Sequence, residues 1–341
     1  MAGAQTFDPR RDPRDRGVRR RRRADRAALR GARAGPAGAA RLARAGRRSG
    51  GRDGVLSRRA LILAAGAALA APAPVRADGP RRIVVLGGDL VEIVFALGAG
   101  DRVVGTDDTG RHPAAAAALP KVGYLRRFGP EGVLSLAPDL VLANPAAGPE
   151  TALDQLRAAG LPVALAPGGE GWPSVPPKIA FVGDLLGLAP EAARLSARLD
   201  AEMARLATRI ADVPDPPSVL FLISLGRGAP MASGGGTAAD AMIALAGARN
   251  AVTGFDGFKP LSAEALTGLA PDALLLPDHA AEAVGGGQAA LALVGLAGTP
   301  AGRAGRVVVM DALKLLGFGP RTPEAVRELA MALHADMADR L

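Results

Sequence analysis

A thirteen-residue unit occurs twice in this chain and constrains the fold more than any other feature of the sequence. Residues 130–142 align without gaps to residues 263–275, and each copy runs through Leu-Ala-Pro-Asp into a series of apolar residues. Because proline cannot continue a helix and aspartate suits the turn that follows, each copy predicts a short helix, a turn and a strand. The presence of one unit in each half of the chain indicates two similarly built α/β lobes.

Short apolar runs recur along the chain, and most of them are separated by helical patterns. Continuous apolar strands that alternate with helices are typical of parallel sheets covered on both faces. We therefore predict α/β architecture with two Rossmann-like lobes, each built on a central, mostly parallel sheet. The predicted strands are residues 83–86, 102–106, 140–143, 163–166, 219–223, 273–276 and 307–310.

A long amphipathic pattern over residues 190–211 predicts a helix that divides these two halves, and Pro214, Pro216 and Pro217 end it. The predicted organisation is a first lobe over 78–175, a connecting helical segment over 176–213 and a second lobe over 214–341.

Charge is distributed unevenly along the chain, whose formal net charge is +9. Residues 1–54 hold 17 Arg against 5 Asp, whereas residues 78–341 hold 22 Lys and Arg against 28 Asp and Glu, a net charge of −6. The acidic part is therefore not expected to bind nucleic acid. The Arg-rich arm over 1–54 lacks large apolar residues and is expected to be disordered, either as a polar leader or as upstream sequence from a mis-assigned start.

Residues 55–77 have the layout of a signal peptide. Arg58 and Arg59 precede an uncharged apolar stretch over 60–71, and Val75-Arg76-Ala77 offers small residues at the two positions that determine cleavage. The stretch is too short to span a bilayer as a helix. Ser-Arg-Arg-Ala-Leu resembles the twin-arginine export signal, but Ile62 stands where a Lys is expected, so both the twin-arginine and the general secretory route are open.

The chain contains no Cys. We expect no disulfide, no thiolate metal site and no lipid-modified cysteine. Because the protein is expected to be exported and to lack a lipid anchor, the mature protein is expected in the periplasm and not embedded in a membrane.

The repeat, the two lobes and the dividing helix together resemble the solute-binding proteins of ABC importers for metal chelates. The resemblance implies two α/β lobes joined by a single long helix, with a ligand cleft between them. It also implies that one glutamate on each lobe docks on the membrane permease, and these fall on the repeat at Glu131 and Glu264. Considered alone, each is a solvated residue in a helix first turn, where the helix dipole favours a carboxylate.

Within this family, residues 121–127, Lys-Val-Gly-Tyr-Leu-Arg-Arg, are similar to the haemin-binding branch, as are residues 235–243, 259–264 and 315–321. The resemblance implies that Tyr124 is the axial ligand of ferric haem, the transported ferric protoporphyrin IX. A phenolate is a hard anionic donor suited to Fe(III). Without the motif, a lone Tyr beside Gly123 is an ordinary, partly buried side chain.

Several basic side chains are candidates to stabilise the tyrosine phenolate and to bind the haem propionates. A guanidinium beside the tyrosine favours the phenolate form, and Arg126, Arg127 or Arg227 from the opposite lobe can supply it. Arg126, Arg127 and Lys259 are candidate partners for the two haem propionates, because these cations bond carboxylates well.

The Gly-rich residues 234–236 precede Thr237 and a helical pattern, but the Gly-Lys-Ser/Thr of a nucleotide-binding loop is absent. They predict a tight turn with Thr237 as helix N-cap, or backbone amides that face a propionate. None of the three His residues has metal-ligand spacing. Each is interpreted as structural or solvated, and His279, just past a predicted strand in the second lobe, is the one that could face the cleft as an extra haem ligand.

We therefore expect a periplasmic haem-binding protein, not an enzyme, that delivers haem to an ABC importer permease and its ATPase, downstream of an outer-membrane haem receptor. The nearest alternative keeps the fold and changes the cargo to a ferric siderophore or a cobalamin, although the chain is only 3% aromatic. An exported protein that stores or senses haem would keep the cargo and change the role. An exported α/β enzyme has little support, because the chain has neither a Gly-x-Ser-x-Gly elbow nor a Cys nucleophile.

Overall fold

The computed structural model describes residues 79–211, 213–226 and 228–334, all within one compact unit, Pro74–Leu341. The strands of this part are β1 Ile83–Leu86, β2 Val103–Thr106, β3 Gly123–Tyr124, β4 Arg127–Phe128, β5 Leu140–Ala143, β6 Val163–Leu165, β7 Ser218–Ser224, β8 Met231–Ser233, β9 Arg249–Asn250, β10 Phe258–Pro260, β11 Ala273–Pro277 and β12 Val307–Met310. The helices are α1 Gly88–Ala96, α2 Ala114–Ala117, α3 Pro130–Ser135, α4 Glu150–Ala158, α5 Val175–Leu186, α6 Ala189–Ile210, α7 Ala238–Leu245, α8 Ala263–Leu269, α9 Asp278–Glu282, α10 Gly287–Leu291, α11 Pro300–Ala304, α12 Ala312–Leu316 and α13 Thr322–Leu333.

The first lobe is built on a four-stranded parallel sheet with strand order β2-β1-β5-β6. All four residues of β1, Ile-Val-Val-Leu, are fully buried, as are the last three residues of β5. A strand buried on both faces has no polar face, which explains its uninterrupted apolar sequence.

The second lobe repeats this parallel arrangement and adds two antiparallel strands. Its main order is β10-β8-β7-β11-β12, and β9 pairs in parallel with β7. The strands β9, β7, β11 and β12 thus correspond to β2, β1, β5 and β6 of the first lobe. The prediction of two similarly built lobes with mostly parallel sheets is confirmed.

The repeated aspartates bond the start of the neighbouring parallel strand in both lobes. The Asp139 carboxylate accepts the backbone N–H groups of Arg81, at 2.8 Å, and Arg82, at 3.1 Å, just before β1. In the second lobe Asp272 accepts the N–H of Ser218, the first residue of β7, at 2.9 Å. Each aspartate N–H also donates to the opposite strand, to the carbonyl of Arg82 or Ser218, at 2.8 Å in both lobes.

The alanine of each Leu-Ala-Pro-Asp turn adopts the left-handed conformation, with φ of 45° at Ala137 and 43° at Ala270. The two helices therefore end in the same way, and each turn directs the following strand into the sheet. The sequence repeat is a repeat of backbone geometry, set by the turn and the aspartate.

The long helix α6 runs from Ala189 to Ile210, one residue earlier at each end than predicted. Its buried side chains form one stripe, and it packs against α5 and α13. The buried residues are Ala192, Leu195, Leu199, Met203, Leu206 and Ile210. Its outer face carries the charged residues, as an amphipathic surface helix requires.

The seven predicted strands are all present, and their bounds shift by at most one residue at either end. The sequence did not predict the short strands β3, β4, β8, β9 and β10. Their pairing depends on turns and on neighbours distant in sequence.

The predicted arm over 1–54 and the predicted signal peptide over 55–77 lie outside the described residues. The boundaries of 78–175, 176–213 and 214–341 remain predictions. Along the described part of the chain, no helix is both long enough and apolar enough to span a bilayer.

Replacement of Asp272 by alanine should lower the free energy of unfolding by about 1 kcal/mol, since it removes the acceptor for the partly buried Ser218 N–H. Urea unfolding followed by circular dichroism measures the change. Asp215→Ala is the matched control, because Asp215 is exposed in the loop before β7 and should change stability by less than about 0.5 kcal/mol. Equal effects of the two substitutions would contradict the role of Asp272.

Candidate functional site

The strands β3 and β4 form a hairpin with a two-residue turn, Leu125-Arg126, and the hairpin is held on loops of the first lobe. Gly123 accepts the N–H of Asp108 at 2.9 Å, from the loop after β2. Gly148, in the loop after β5, donates to Leu125 at 3.0 Å and accepts from Phe128 at 3.3 Å. The hairpin therefore lies at the carboxyl edge of the first sheet, where ligands bind in open α/β sheets.

Phe128 anchors the hairpin, because its side chain is buried in the core while the neighbouring Arg127 is exposed. Residues on adjacent strand positions point to opposite faces, so Arg127 is directed away from the core.

Tyr124 is 48% exposed and pairs across the hairpin with Arg127. Side chains of directly paired residues share a face and have Cβ atoms about 5 Å apart. Arg126 is exposed in the turn. The structure thus brings Tyr124 and Arg127 together, and it places Arg126 at the tip of the same hairpin.

Lys121 fastens the chain just before the hairpin. Its ammonium group donates to the Thr106 hydroxyl at 2.8 Å and to the carbonyls of Gly110 and Ala116 at 2.6 and 3.0 Å. Burial lowers the pKa of Lys121, and the carboxylates of Asp107 and Asp108 offset part of that shift. These bonds give Lys121 a structural role at the end of β2.

In the second lobe, Lys259 lies on β10, exposed, with its ammonium nitrogen 4.8 Å from the centroid of the Phe255 ring. Pro260, the next residue, pairs with Met231, which in turn pairs with Ser224 at the carboxyl end of β7. Lys259 is therefore close to the carboxyl edge of its own sheet, the edge that corresponds to the one bearing the hairpin. Arg227 lies outside the described residues.

The Gly-rich turn is confirmed as a structural turn. Thr237 caps α7 by accepting the Asp240 N–H at 3.1 Å. The amides of Gly234, Gly235 and Gly236 donate to the Gly257 carbonyl, the Phe255 carbonyl and the Asp240 carboxylate. All three amides have protein partners, so the prediction that they face a propionate is not supported.

Glu131 and Glu264 occupy equivalent exposed positions in the first turns of α3 and α8. Hydrogen bonds from its own backbone N–H and from the Ser262 side chain lower the pKa of the Glu264 carboxyl. Each lobe thus presents one carboxylate at the second position of an exposed helix first turn, although the N-cap is Gly129 in the first lobe and Ser262 in the second.

The histidines described by the structure occupy different environments. His279 is exposed at the start of α9, with Nε2 3.2 Å from the Ile223 carbonyl oxygen. His334 is buried, and its Nε2 lies 3.0 Å from the Ala246 carbonyl oxygen, a structural contact. Within 79–211, 213–226 and 228–334, no three His, Cys, Asp or Glu side chains converge in a way that could hold a metal ion.

A family model described as "Periplasmic binding protein" matches residues 83–313. The chain belongs to the periplasmic binding protein family. Members are substrate-binding proteins of ABC-type importers, which work with a permease and an ATPase.

Individual relatives differ in the substrate that their names state. The structure of the periplasmic haem-binding protein RhuT from Roseiflexus sp. RS-1, in apo form, matches with 43% identity and a TM-score of 0.73, over 75% of this chain and 99% of that one. An uncharacterised ABC transporter substrate-binding lipoprotein of Bacillus subtilis is 27% identical over 75% of this chain and 81% of its own length. A vitamin B12-binding protein of Vibrio campbellii is 34% identical over 88 residues, 26% of this chain and 32% of that protein.

A buried polar cluster at the carboxyl ends of β1 and β5 was not predicted. Asp89 and Glu92 on α1 and Lys178 on α5 are all buried. Burial raises the pKa of Glu92, and the hydrogen bond from Arg321 lowers it in part. One sequence signal was present: Lys178 is a charged residue within the otherwise apolar stretch Val-Pro-Pro-Lys-Ile-Ala-Phe-Val.

Gly123 has φ of 110°, and a Cβ there would lie 3.3 Å from the Phe128 Cα. Gly123→Ala should therefore loosen the hairpin and accelerate hydrogen exchange of the Asp108 amide, which donates to Gly123. Gly160→Ala is the matched control, since Gly160 has φ of 81° but open space around its Cβ position. Equal exchange of the Asp108 amide in both variants would show that the hairpin does not depend on Gly123.

Proposed function

We propose that this protein captures ferric haem between its two lobes and delivers it to the permease of an ABC importer. The placement of Tyr124 carries the proposal. It is the single Tyr of the chain, and it is half-exposed at the sheet edge where binding proteins of α/β type receive ligands. The similarity to the periplasmic haem-binding protein RhuT, over 99% of the length of that protein, supports the same cargo.

Tyr124 and Arg127 have complementary roles at the iron. The phenolate oxygen binds Fe(III) on one face of the porphyrin, and the guanidinium of its hairpin partner stabilises the negative charge of that oxygen. Because Arg127 is paired with Tyr124 and Arg126 is in the turn, we assign phenolate stabilisation to Arg127 and propionate binding to Arg126.

The second lobe supplies further positive charge. Lys259, near the carboxyl edge of its sheet, is assigned to a propionate, and the Phe255 ring restricts where its ammonium group can lie. We assign Arg227 a place facing the porphyrin from the second lobe, beside the phenolate or a propionate. Cations from both lobes suit a cargo that carries two carboxylates.

A cobalamin or a ferric siderophore is the competing cargo, and the match to a vitamin B12-binding protein over 88 residues is the observation in its favour. Neither cargo requires an exposed tyrosine beside an arginine. The scarcity of aromatic residues also argues against a pocket for cobalamin or an aryl siderophore.

Tyr124→Phe should weaken haemin binding by about tenfold or more, because it removes the ligand oxygen and at least ~1.4 kcal/mol of binding free energy. Titration with haemin, followed by the Soret band and the visible charge-transfer bands, measures both affinity and ligation. Parallel titrations with cobalamin and a ferric siderophore test the competing cargoes.

Arg127→Gln and Arg126→Gln form a matched pair of variants on the same hairpin as Tyr124. Arg127→Gln should move formation of the tyrosinate-ligated spectrum to higher pH, whereas Arg126→Gln should weaken affinity without moving that pH. If haemin bound to Tyr124→Phe gives an unchanged spectrum, Tyr124 is not the iron ligand. If cobalamin binds and haemin does not, the proposed cargo is wrong.

Delivery is inferred from the two glutamates of the repeat. They are exposed, equivalent in sequence and structure, and one lies on each lobe, so a permease with two basic pockets would bind both lobes at once. A protein that only stores or senses haem needs no such pair.

Combined Glu131→Ala and Glu264→Ala substitutions should abolish stimulation of the importer ATPase and haem uptake in proteoliposomes, while haemin affinity stays unchanged. Glu150→Ala with Glu191→Ala is the control, because these are also first-turn glutamates, on α4 and α6. Unchanged uptake in the first double variant would favour storage or sensing over delivery.

A further inference from the structure

Lys178 joins the two lobes through a buried set of hydrogen bonds. Its ammonium nitrogen donates to Asp89 on α1 at 2.8 Å, and to the carbonyls of Phe318 at 2.7 Å and Gly317 at 3.3 Å. Asn144, at the end of β5, donates to both Asp89 oxygens at 3.1–3.2 Å. Lys178 and Asp89 are each only 4% exposed.

A second ion pair lies one helical turn further along α1. Arg321 donates through Nη2 and Nε to one oxygen of Glu92, at 2.6 and 3.0 Å. Glu92 is 6% exposed. Arg321 also lies 3.5 Å from Asp311, the N-cap of α12.

Both ion pairs hold the same segment, residues 317–321, which connects α12 to α13 after the last strand of the second sheet. This segment has little room to move. Phe318 is buried with φ of 48°, and a Cβ at Gly319 would lie 3.3 Å from the Glu92 carboxylate. A Cβ at Gly88, the first residue of α1, would clash with the Leu313 side chain of α12.

These contacts connect the carboxyl end of β1 in the first lobe to the segment that follows β12 in the second. Burial of charged groups carries a desolvation cost that apolar side chains of similar volume would avoid. Hydrogen bonds from charged donors to carboxylates and carbonyls, however, require specific distances and angles, a directional constraint that apolar contacts lack.

We propose that the pairs Asp89–Lys178 and Glu92–Arg321 form an interlobe latch that sets the relative orientation of the two sheet edges, and with it the width of the cargo cleft. Lys178 and Arg321 are positioning residues that act on the cargo through the 317–321 segment. Only the consequence for cargo affinity rests on the proposed function; the orientation of the lobes does not.

The latch is tested by a distance across the lobes. The chain has no Cys, so Ser135→Cys and Gly268→Cys, at equivalent exposed positions on α3 and α8, give two specific spin-label sites. Pulsed electron spin resonance then measures the distance distribution with and without haemin. One ion pair of the latch is removed by Asp89→Asn with Lys178→Met and the other by Glu92→Gln with Arg321→Met. The four substitutions combined remove the whole latch, and in none of these variants does an unpaired charge of the two pairs remain buried.

We expect one narrow distance distribution in the parent protein and a broadened or shifted one in the variant that lacks both ion pairs, with a smaller change in each variant that lacks one. Haemin affinity should fall about tenfold if the binding orientation is then populated about one-tenth of the time. Lys314→Met is the matched control. It removes the ion pairs of Lys314 with Glu324 and Glu328 on α13, close in sequence to the 317–321 segment. The distance between the two spin labels should stay unchanged.

An unchanged distribution in the variant that lacks both ion pairs overturns the proposal. If that variant does not fold, Arg321→Lys, which keeps the charge but not both donated hydrogen bonds, must still broaden the distribution, and failure to do so overturns it as well. A parent protein that binds no haemin would refute the proposed function and leave the distance measurement valid.

Discussion

Burial of both faces of two parallel sheets is the constraint on which the rest of this structure depends. The central strands β1, β5, β7 and β11 are almost entirely apolar, so no polar side chain can be placed along them without loss of stability. Polar groups are therefore confined to the strand ends. Asp139 and Asp272 bond the strand starts, whereas Asp89, Asp107, Asn144 and the hairpin gather at the carboxyl ends of the first sheet.

The polar groups at these carboxyl ends have two different environments, which suit two different roles. The hairpin side chains Tyr124, Arg126 and Arg127 are exposed and can exchange water for a ligand. Asp89, Glu92 and Lys178 are buried and have protein partners for their charges. The exposed hairpin side chains are suited to reversible binding of a ligand. The buried ion-paired residues are suited to holding the two lobes in a fixed relative position.

The family and its coarse activity follow from features that extend over most of the chain, whereas the cargo depends on a few residues. Solved structures of both haem-binding and vitamin B12-binding proteins share this fold, so the fold cannot distinguish haem from cobalamin. The hairpin differs in this respect, because it presents an exposed tyrosine paired across the strands with Arg127, and a phenolate oxygen is a donor suited to a hard cation such as Fe(III).

The sequence by itself determined the seven strands of the parallel sheets that it predicted, the dividing helix, the equivalence of the lobes and the cap at Thr237. These depend on local periodicity, on turn residues and on a visible repeat, all of which act over a few neighbouring positions. It also singled out Tyr124, Glu131 and Glu264, although their roles remain proposals. Only the tertiary structure decided that Arg127 is the partner of Tyr124, that the Gly-rich amides are already bonded, and that Lys178 and Arg321 join α1 to the 317–321 segment. Those relations link residues up to 229 positions apart, and no local pattern specifies which buried charges will meet once two sheets pack.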